Sequence, residues 1–168
     1  VPLLVGGWGT TTSSTFSSST KTKVVVSFPP LYSFATSIAG EDADVKCLNT
    51  GEGIHFSGDV TKSKIELARA CDVFIINGLE LDNDLANKLG KSAASPKWNV
   101  LDLGSKIDPT WLKEGTCKHA HGAGKHDGHN HGFDPHVWLS PRHAKKMVET
   151  IRDELVRLDP PHAEGYKN

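Results

Sequence analysis

Long apolar runs are missing from this sequence. The most apolar stretch near the start, Val1-Pro-Leu-Leu-Val-Gly-Gly-Trp8, is far too short to cross a bilayer, which takes about 20 apolar residues. Cysteine is also scarce: Cys47, Cys71 and Cys117 are the only three, and none forms a C-x-x-C unit, so a disulfide scaffold is not expected. A single Cys47–Cys71 bridge stays open in an oxidising compartment, although both cysteines read better as small buried apolar residues near strands. Charge of one dominant sign is absent too, with a formal net charge of -1. No whole-chain field would therefore attract nucleic acid or an anionic membrane. Catalytic signatures are lacking: there is no H-E-x-x-H, no G-x-S-x-G and no glycine fingerprint opening a helix after a strand. Gly122-Ala-Gly124-Lys125 is only a superficial phosphate loop, because its glycines are too close together and no strand leads into it.

Histidine, by contrast, is abundant, with nine in 168 residues, and imidazole suits borderline transition metals at neutral pH. Five of the nine, His119, His121, His126, His129 and His131, fall within a glycine-rich segment, 115–132, with Asp127 and Cys117 alongside. That composition predicts a surface loop that collects metal rather than a rigid cage, since ordering many glycines costs on the order of 1 kcal/mol or more per residue.

The rest of the chain alternates short β-branched runs with helical patterns. Residues 1–22, rich in serine and threonine from Thr10 to Thr20, read as an export-signal remnant and tether. Strands are expected at 23–28, 43–48, 72–77 and 98–103, and helices at 31–39, 61–70, 79–89 and from Pro141 onward to Pro160-Pro161. In the last helix Ala144, Met147, Val148, Ile151, Leu155 and Leu158 recur at three- and four-residue steps. Such alternation predicts an α/β fold, a parallel sheet with helices on both faces, followed by a long helix. Ligands of such sheets sit at the carboxyl ends of the strands.

Two histidines occupy positions fit for a principal metal site. His136 stands in Asp134-Pro-His-Val-Trp-Leu-Ser140-Pro141, before a helix that Ser140 can cap and Pro141 can open, and Asp134 can accept from its ring. His55 follows the second predicted strand, at the edge where parallel sheets bind ligands. A core histidine at a helix entrance is the competing reading of His136. His143 and His162, on or beside the last helix, read as solvated.

These residues carry a resemblance. Lys23-Val-Val-Val-Ser-Phe-Pro-Pro-Leu-Tyr32, Ile65-Glu-Leu-Ala-Arg-Ala-Cys-Asp-Val-Phe-Ile-Ile-Asn-Gly-Leu-Glu80 and above all Asp134-Pro-His-Val-Trp-Leu-Ser-Pro141 resemble the cluster A-I solute-binding proteins of zinc and manganese ABC importers, the ZnuA and TroA type. The histidine-rich loop just ahead of the last string resembles the zinc-type members. The resemblance implies that 23–140 form the first of two α/β lobes, that 141–168 begin the connecting helix, and that the second lobe is absent from this chain. It implies His136 and His55 as metal ligands, Zn2+ or alternatively Mn2+ as the ion, an ABC permease as partner, and a periplasmic or cell-surface location. Around His55 the family's proline and glutamate are not matched. Leu3-Leu-Val-Gly-Gly-Trp8 resembles a lipobox with Trp8 at the position of the lipidated cysteine, which argues against a lipid anchor there. The competing functions are a metal buffer or chaperone using only the loop, and a zinc hydrolase. A hydrolase would need three ligands and a general base on one rigid site.

Overall fold

The computed structural model describes residues 15–16, 20–50, 59–95, 98–115 and 132–168. His55, Cys117 and the loop histidines His119, His121, His126, His129 and His131 lie outside the described residues. Strand β1 (Thr22–Val26) pairs in parallel with β2 (Ala43–Cys47) on one side and β3 (Val73–Ile76) on the other, and β4 (Val100–Asp102) joins β3. The order β2-β1-β3-β4 follows from crossovers through α1 (Pro29–Ala39), α2 (Lys62–Ala70) and α3 (Asn83–Ala93). A longer helix, α4 (Pro141–Leu158), closes the fold.

Because successive strand residues point to opposite faces, the central strands feed two cores. Val24, Val26, Val73 and Ile75 pack with Leu31, Ala35 and Ala39 of α1 and Met147, Ile151 and Leu155 of α4. Val25, Phe74 and Ile76 face the other way, onto Leu67 and Ala68 of α2 and Leu85, Ala86, Leu89 and Ala93 of α3. Burial on both faces explains why these strands read as unbroken apolar runs rather than alternating ones. With α1 on one face and α2 and α3 on the other, the connections reverse between β1 and β3, which makes the carboxyl ends of those strands the switch point.

Three expectations need correction. The prolines Pro29 and Pro30 do not merely end the strand; they form the first turn of α1, where their missing N–H groups cost nothing. The helix expected at 79–89 begins four residues later and runs through Gly90 to Ala93, with Ala94 in the left-handed region at φ 46° as its cap. Gly78, Leu79 and Glu80 all have positive φ (76°, 53° and 65°), so they cannot be helical. Gly90 is a packing glycine, since a Cβ there would lie 2.5 Å from Nε1 of Trp98. Finally, Cys47 is not buried as expected, and the pairing left open does not form, since Cys47 and Cys71 are both free. Cys47 ends β2 beside Val26, whereas Cys71 precedes β3 near Lys23, at the opposite end of the sheet. Cys71 is buried as expected, and burial pushes its thiol up to about 12, while Cys47 is half-buried.

The end of α4 is tied back to the sheet by Asp159. Its carboxylate accepts from the buried Tyr166 hydroxyl at 2.7 Å and from Nδ1 of His162 at 2.8 Å. The hydrogen bond and the charge of Asp159 raise the His162 pKa. Desolvation works upward on Asp159, but its hydrogen bonds from Tyr166 and His162 leave it below the usual range. A raised histidine pKa stabilises the fold fully below the unfolded value, about pH 6.5, and this contribution fades as pH rises through the raised value. The melting temperature of His162→Ala should therefore fall below that of the parent at pH 5.5 and converge on it as the pH climbs past the raised value. Equal gaps at acid and alkaline pH would exclude the pairing.

Candidate metal site

Chain segments from four parts of the sequence meet at the switch point. Ser27 leaves β1, Asn77 leaves β3, Asp82 precedes α3, and the segment from Asp134 to Ser140 leads into α4. Ser27, Asn77 and Asp82 are all fully or almost fully buried. The Asp82 carboxylate accepts from the Ser27 hydroxyl at 2.5 Å and from the backbone N–H groups of Asn77 and Gly78, each at 2.8 Å. Burial lifts the Asp82 carboxyl above its ordinary value, opposed by these three donors. One acidic side chain thus ties the ends of the two central strands together and holds the left-handed turn at 78–80.

Above this network sits His136. A bridge between Glu114 and Phe133 brings the two flanks of segment 116–131 together, with Gly115 N–H donating to Gly132 O at 2.7 Å and Asp134 N–H to Lys113 O at 2.8 Å. Asp134 is fixed by this bridge, and its Oδ1 accepts both from the backbone N–H of His136 (3.0 Å) and from the ring Nδ1 (2.7 Å). The same two donors hold the Asp134 carboxyl below the usual carboxylate range. A Nδ1–H···carboxylate bond selects the tautomer whose Nε2 carries a free lone pair. The ring is further confined by Trp138 at 5.4 Å, which is itself seated edge-on against Phe28 at 4.9 Å. With 41% of its side chain exposed, His136 is not the core histidine of the competing reading.

Behind the site, a 3-10 turn (Val137–Leu139) hands the chain to α4. Ser140 occupies the N-cap position, but its side chain makes no capping hydrogen bond; its carbonyl accepts from Ala144. His143 is not solvated as expected. Its ring stacks on Trp111 at 6.5 Å and 11°, and its Nδ1 is shut away from solvent without a hydrogen-bond partner. Arg142 lies 3.4 Å over the same indole. His143 and Arg142 line an open depression of about 440 Å³ together with Lys113, Asp134 and His136. Only the tertiary fold brings Trp111, from beyond β4, under the first turn of α4. Among the described residues, no group of three or more histidine, cysteine, aspartate or glutamate side chains is assembled around a common point. The described part of the site therefore supplies one oriented imidazole.

Comparison with known proteins identifies the scaffold. Residues 24–168 match the family model "ZnuA: Zinc-uptake complex component A periplasmic". The chain belongs to this family. Among curated ZnuA relatives, it is 35% identical over 155 residues to the zinc-binding protein AdcA of Streptococcus pyogenes serotype M3, covering 88% of this chain and 30% of that protein. It is 30% identical over 167 residues to the manganese-binding lipoprotein MntA of Halalkalibacterium halodurans, covering 99% of this chain and 49% of that protein. The Zn(II)-bound AdcA structure from Streptococcus pneumoniae superimposes with a TM-score of 0.65 at 26% identity, over 88% of this chain and 28% of AdcA. The chain thus spans from about 30% to about half the length of these relatives. The parallel four-stranded sheet matches one lobe of the ZnuA-like fold.

Sequence reasoning anticipated the pairing of Asp134 with His136 but did not single out Ser27, Asn77 or Asp82. A signal for Ser27 and Asn77 existed. Asn77 interrupts the apolar run Val73-Phe-Ile-Ile76, and Ser27 does the same to Val24-Val-Val26, each where a buried strand turns polar.

Proposed function

We propose that the chain is the metal-capturing lobe of an extracytoplasmic solute-binding protein, which binds zinc and delivers it to the membrane permease of an ABC import system. The observation that carries this reading is His136, an exposed imidazole at the switch point whose Nδ1 is tied to Asp134, leaving the lone pair on Nε2. Rigid backbone on both sides suits a selective site better than a flexible loop does. Membership of the ZnuA family, and relatives named for binding zinc, favour zinc over manganese. Imidazole ligation favours it as well, since manganese prefers oxygen donors.

On this reading residues 1–22 tether the lobe, 23–140 form it, and 141–168 begin the helix that connects it to a second lobe. The metal shell is completed by His55 and by groups outside this chain, and the loop histidines gather the ion without holding it finally. The protein acts outside the cytoplasmic membrane and catalyses no reaction. No described helix is long and apolar enough to cross a membrane. Membrane association comes through the tether or the permease.

Calorimetric zinc titration of the chain and of a version lacking 116–131 tests the reading against a buffer that works only through the loop. Deletion should remove a set of weaker sites and leave the tightest one intact. Complete loss of binding on deletion would put the buffer in its place.

A further inference from the structure

Asn77 is fully buried at the end of β3. Its side-chain Nδ2 donates to Gly78 O at 3.1 Å and, across 58 residues of sequence, to Pro135 O at 3.0 Å. Its Oδ1 is buried with no hydrogen-bond partner. Turning the amide over would set its oxygen against two carbonyl oxygens, so the orientation is dictated by its neighbours. An unmet buried acceptor is unfavourable, and an apolar side chain continuing the run Val73–Ile76 would avoid it. What the amide supplies instead is a grip on the residue immediately before His136.

The carbonyl it grips belongs to the peptide unit joining Pro135 to His136, and that unit is planar and stiff. Its oxygen end is held by Asn77 at 3.0 Å. Its N–H end is held by Asp134 Oδ1 at 3.0 Å. Both ends of one rigid plane are therefore pinned, which sets the direction in which Cβ of His136 leaves the backbone. Asn77 is itself braced, because Asp82 accepts from its backbone N–H and from that of Gly78. The chain of contacts runs Asp82, Asn77, Pro135, His136, and it links the carboxyl ends of β1 and β3 to the imidazole.

We infer that Asn77 is a positioning residue for the metal-binding imidazole of His136, acting through the Pro135 carbonyl. The inference rests on His136 being a metal ligand. Groups that orient a ligand typically change metal affinity by about ten- to a hundredfold when removed. Zinc titration with a chromophoric competitor, run on the parent, Asn77→Ala, Ile151→Val and His136→Ala, separates the possibilities. Ile151 lies in the α1–α4 core and serves as a destabilised control. Asn77→Ala should weaken zinc binding about tenfold. Ile151→Val should leave affinity unchanged despite a lower melting temperature.

A long-range 1H–15N spectrum of the zinc-free chains adds a reading that a purely structural role would not move. The parent should show one sharp His136 ring with Nδ1 protonated, and Asn77→Ala a broadened or doubled one. Should Asn77→Ala not fold, Asn77→Ser carries the same comparison. If His136→Ala loses the tight site while Asn77→Ala binds zinc as tightly as Ile151→Val, the positioning role is wrong and the ligand assignment stands. If His136→Ala itself binds like the parent, the ligand assignment falls and the positioning role falls with it.

Discussion

His136→Ala should abolish the tight zinc site, raising the dissociation constant by about a hundredfold or more, which is roughly 2.8 kcal/mol. The expectation rests on geometry. The ring is presented with Nδ1 bound to Asp134, which leaves Nε2 as the lone-pair nitrogen, and the described residues assemble no group of three candidate ligands that might substitute. The effect should also appear in thermal stability. Zinc at a hundred times its dissociation constant would stabilise the parent by about 2.7 kcal/mol, and this increment should vanish in the variant. Without zinc, the two chains should melt at nearly the same temperature, because a side chain 41% exposed contributes little to the core. A variant that keeps both the parent's affinity and its zinc-induced rise in melting temperature would remove His136 from the site.

The second large effect is expected at Asp82, and on stability rather than on binding. Asp82→Ala leaves the Ser27 hydroxyl and the N–H groups of Asn77 and Gly78 buried without their acceptor. Hydrogen bonds to a charged group are worth about 1.5–3 kcal/mol each, offset here by the cost of burying the carboxylate, so a net loss of about 3–4 kcal/mol is expected. For a domain of this size that is a fall in melting temperature of roughly 6–16 °C. The left-handed backbone at Leu79 and Glu80 adds to the effect, since such residues persist only where their surroundings over-determine them. Asp82→Asn should fall between the alanine variant and the parent.

The pH profile carries a further signature. Burial raises the Asp82 carboxyl above its ordinary value, so the folded state holds that proton more tightly than the unfolded state does. The parent should lose stability as pH rises from the ordinary carboxylate range through the raised value, and Asp82→Asn, which cannot ionise, should lack that slope. Identical pH profiles by circular dichroism melts would show that Asp82 is ionised equally easily in both states.

Elements with strong periodicity were legible in the sequence nearly to the residue. Strands β1 to β4 and helices α1, α2 and α4 lie where β-branched runs and three- and four-residue apolar spacing place them. Helix α3 was started too early, over the positive-φ residues 78–80, and cut short because Gly90 resembles a stop signal when read alone. In the fold that glycine exists to let Trp98 lie against the helix, a requirement written in another part of the chain. His143 misled for the same reason, its solvated appearance depending on ignorance of Trp111.

The candidate site divides along the same line. Asp134 and His136 are two residues apart, so a local hydrogen bond between them can be anticipated from spacing alone. Asn77 and Pro135 are 58 residues apart and Ser27 and Asp82 are 55 apart, and no local pattern relates them. Composition, periodicity and the Asp134–Pro141 string by themselves determined an α/β lobe and singled out one particular histidine as a candidate ligand, because each depends on neighbours within a few positions. Only the tertiary structure decided which buried polar groups hold that histidine in place, because a buried hydrogen bond is chosen by what the folded chain brings within about 3 Å.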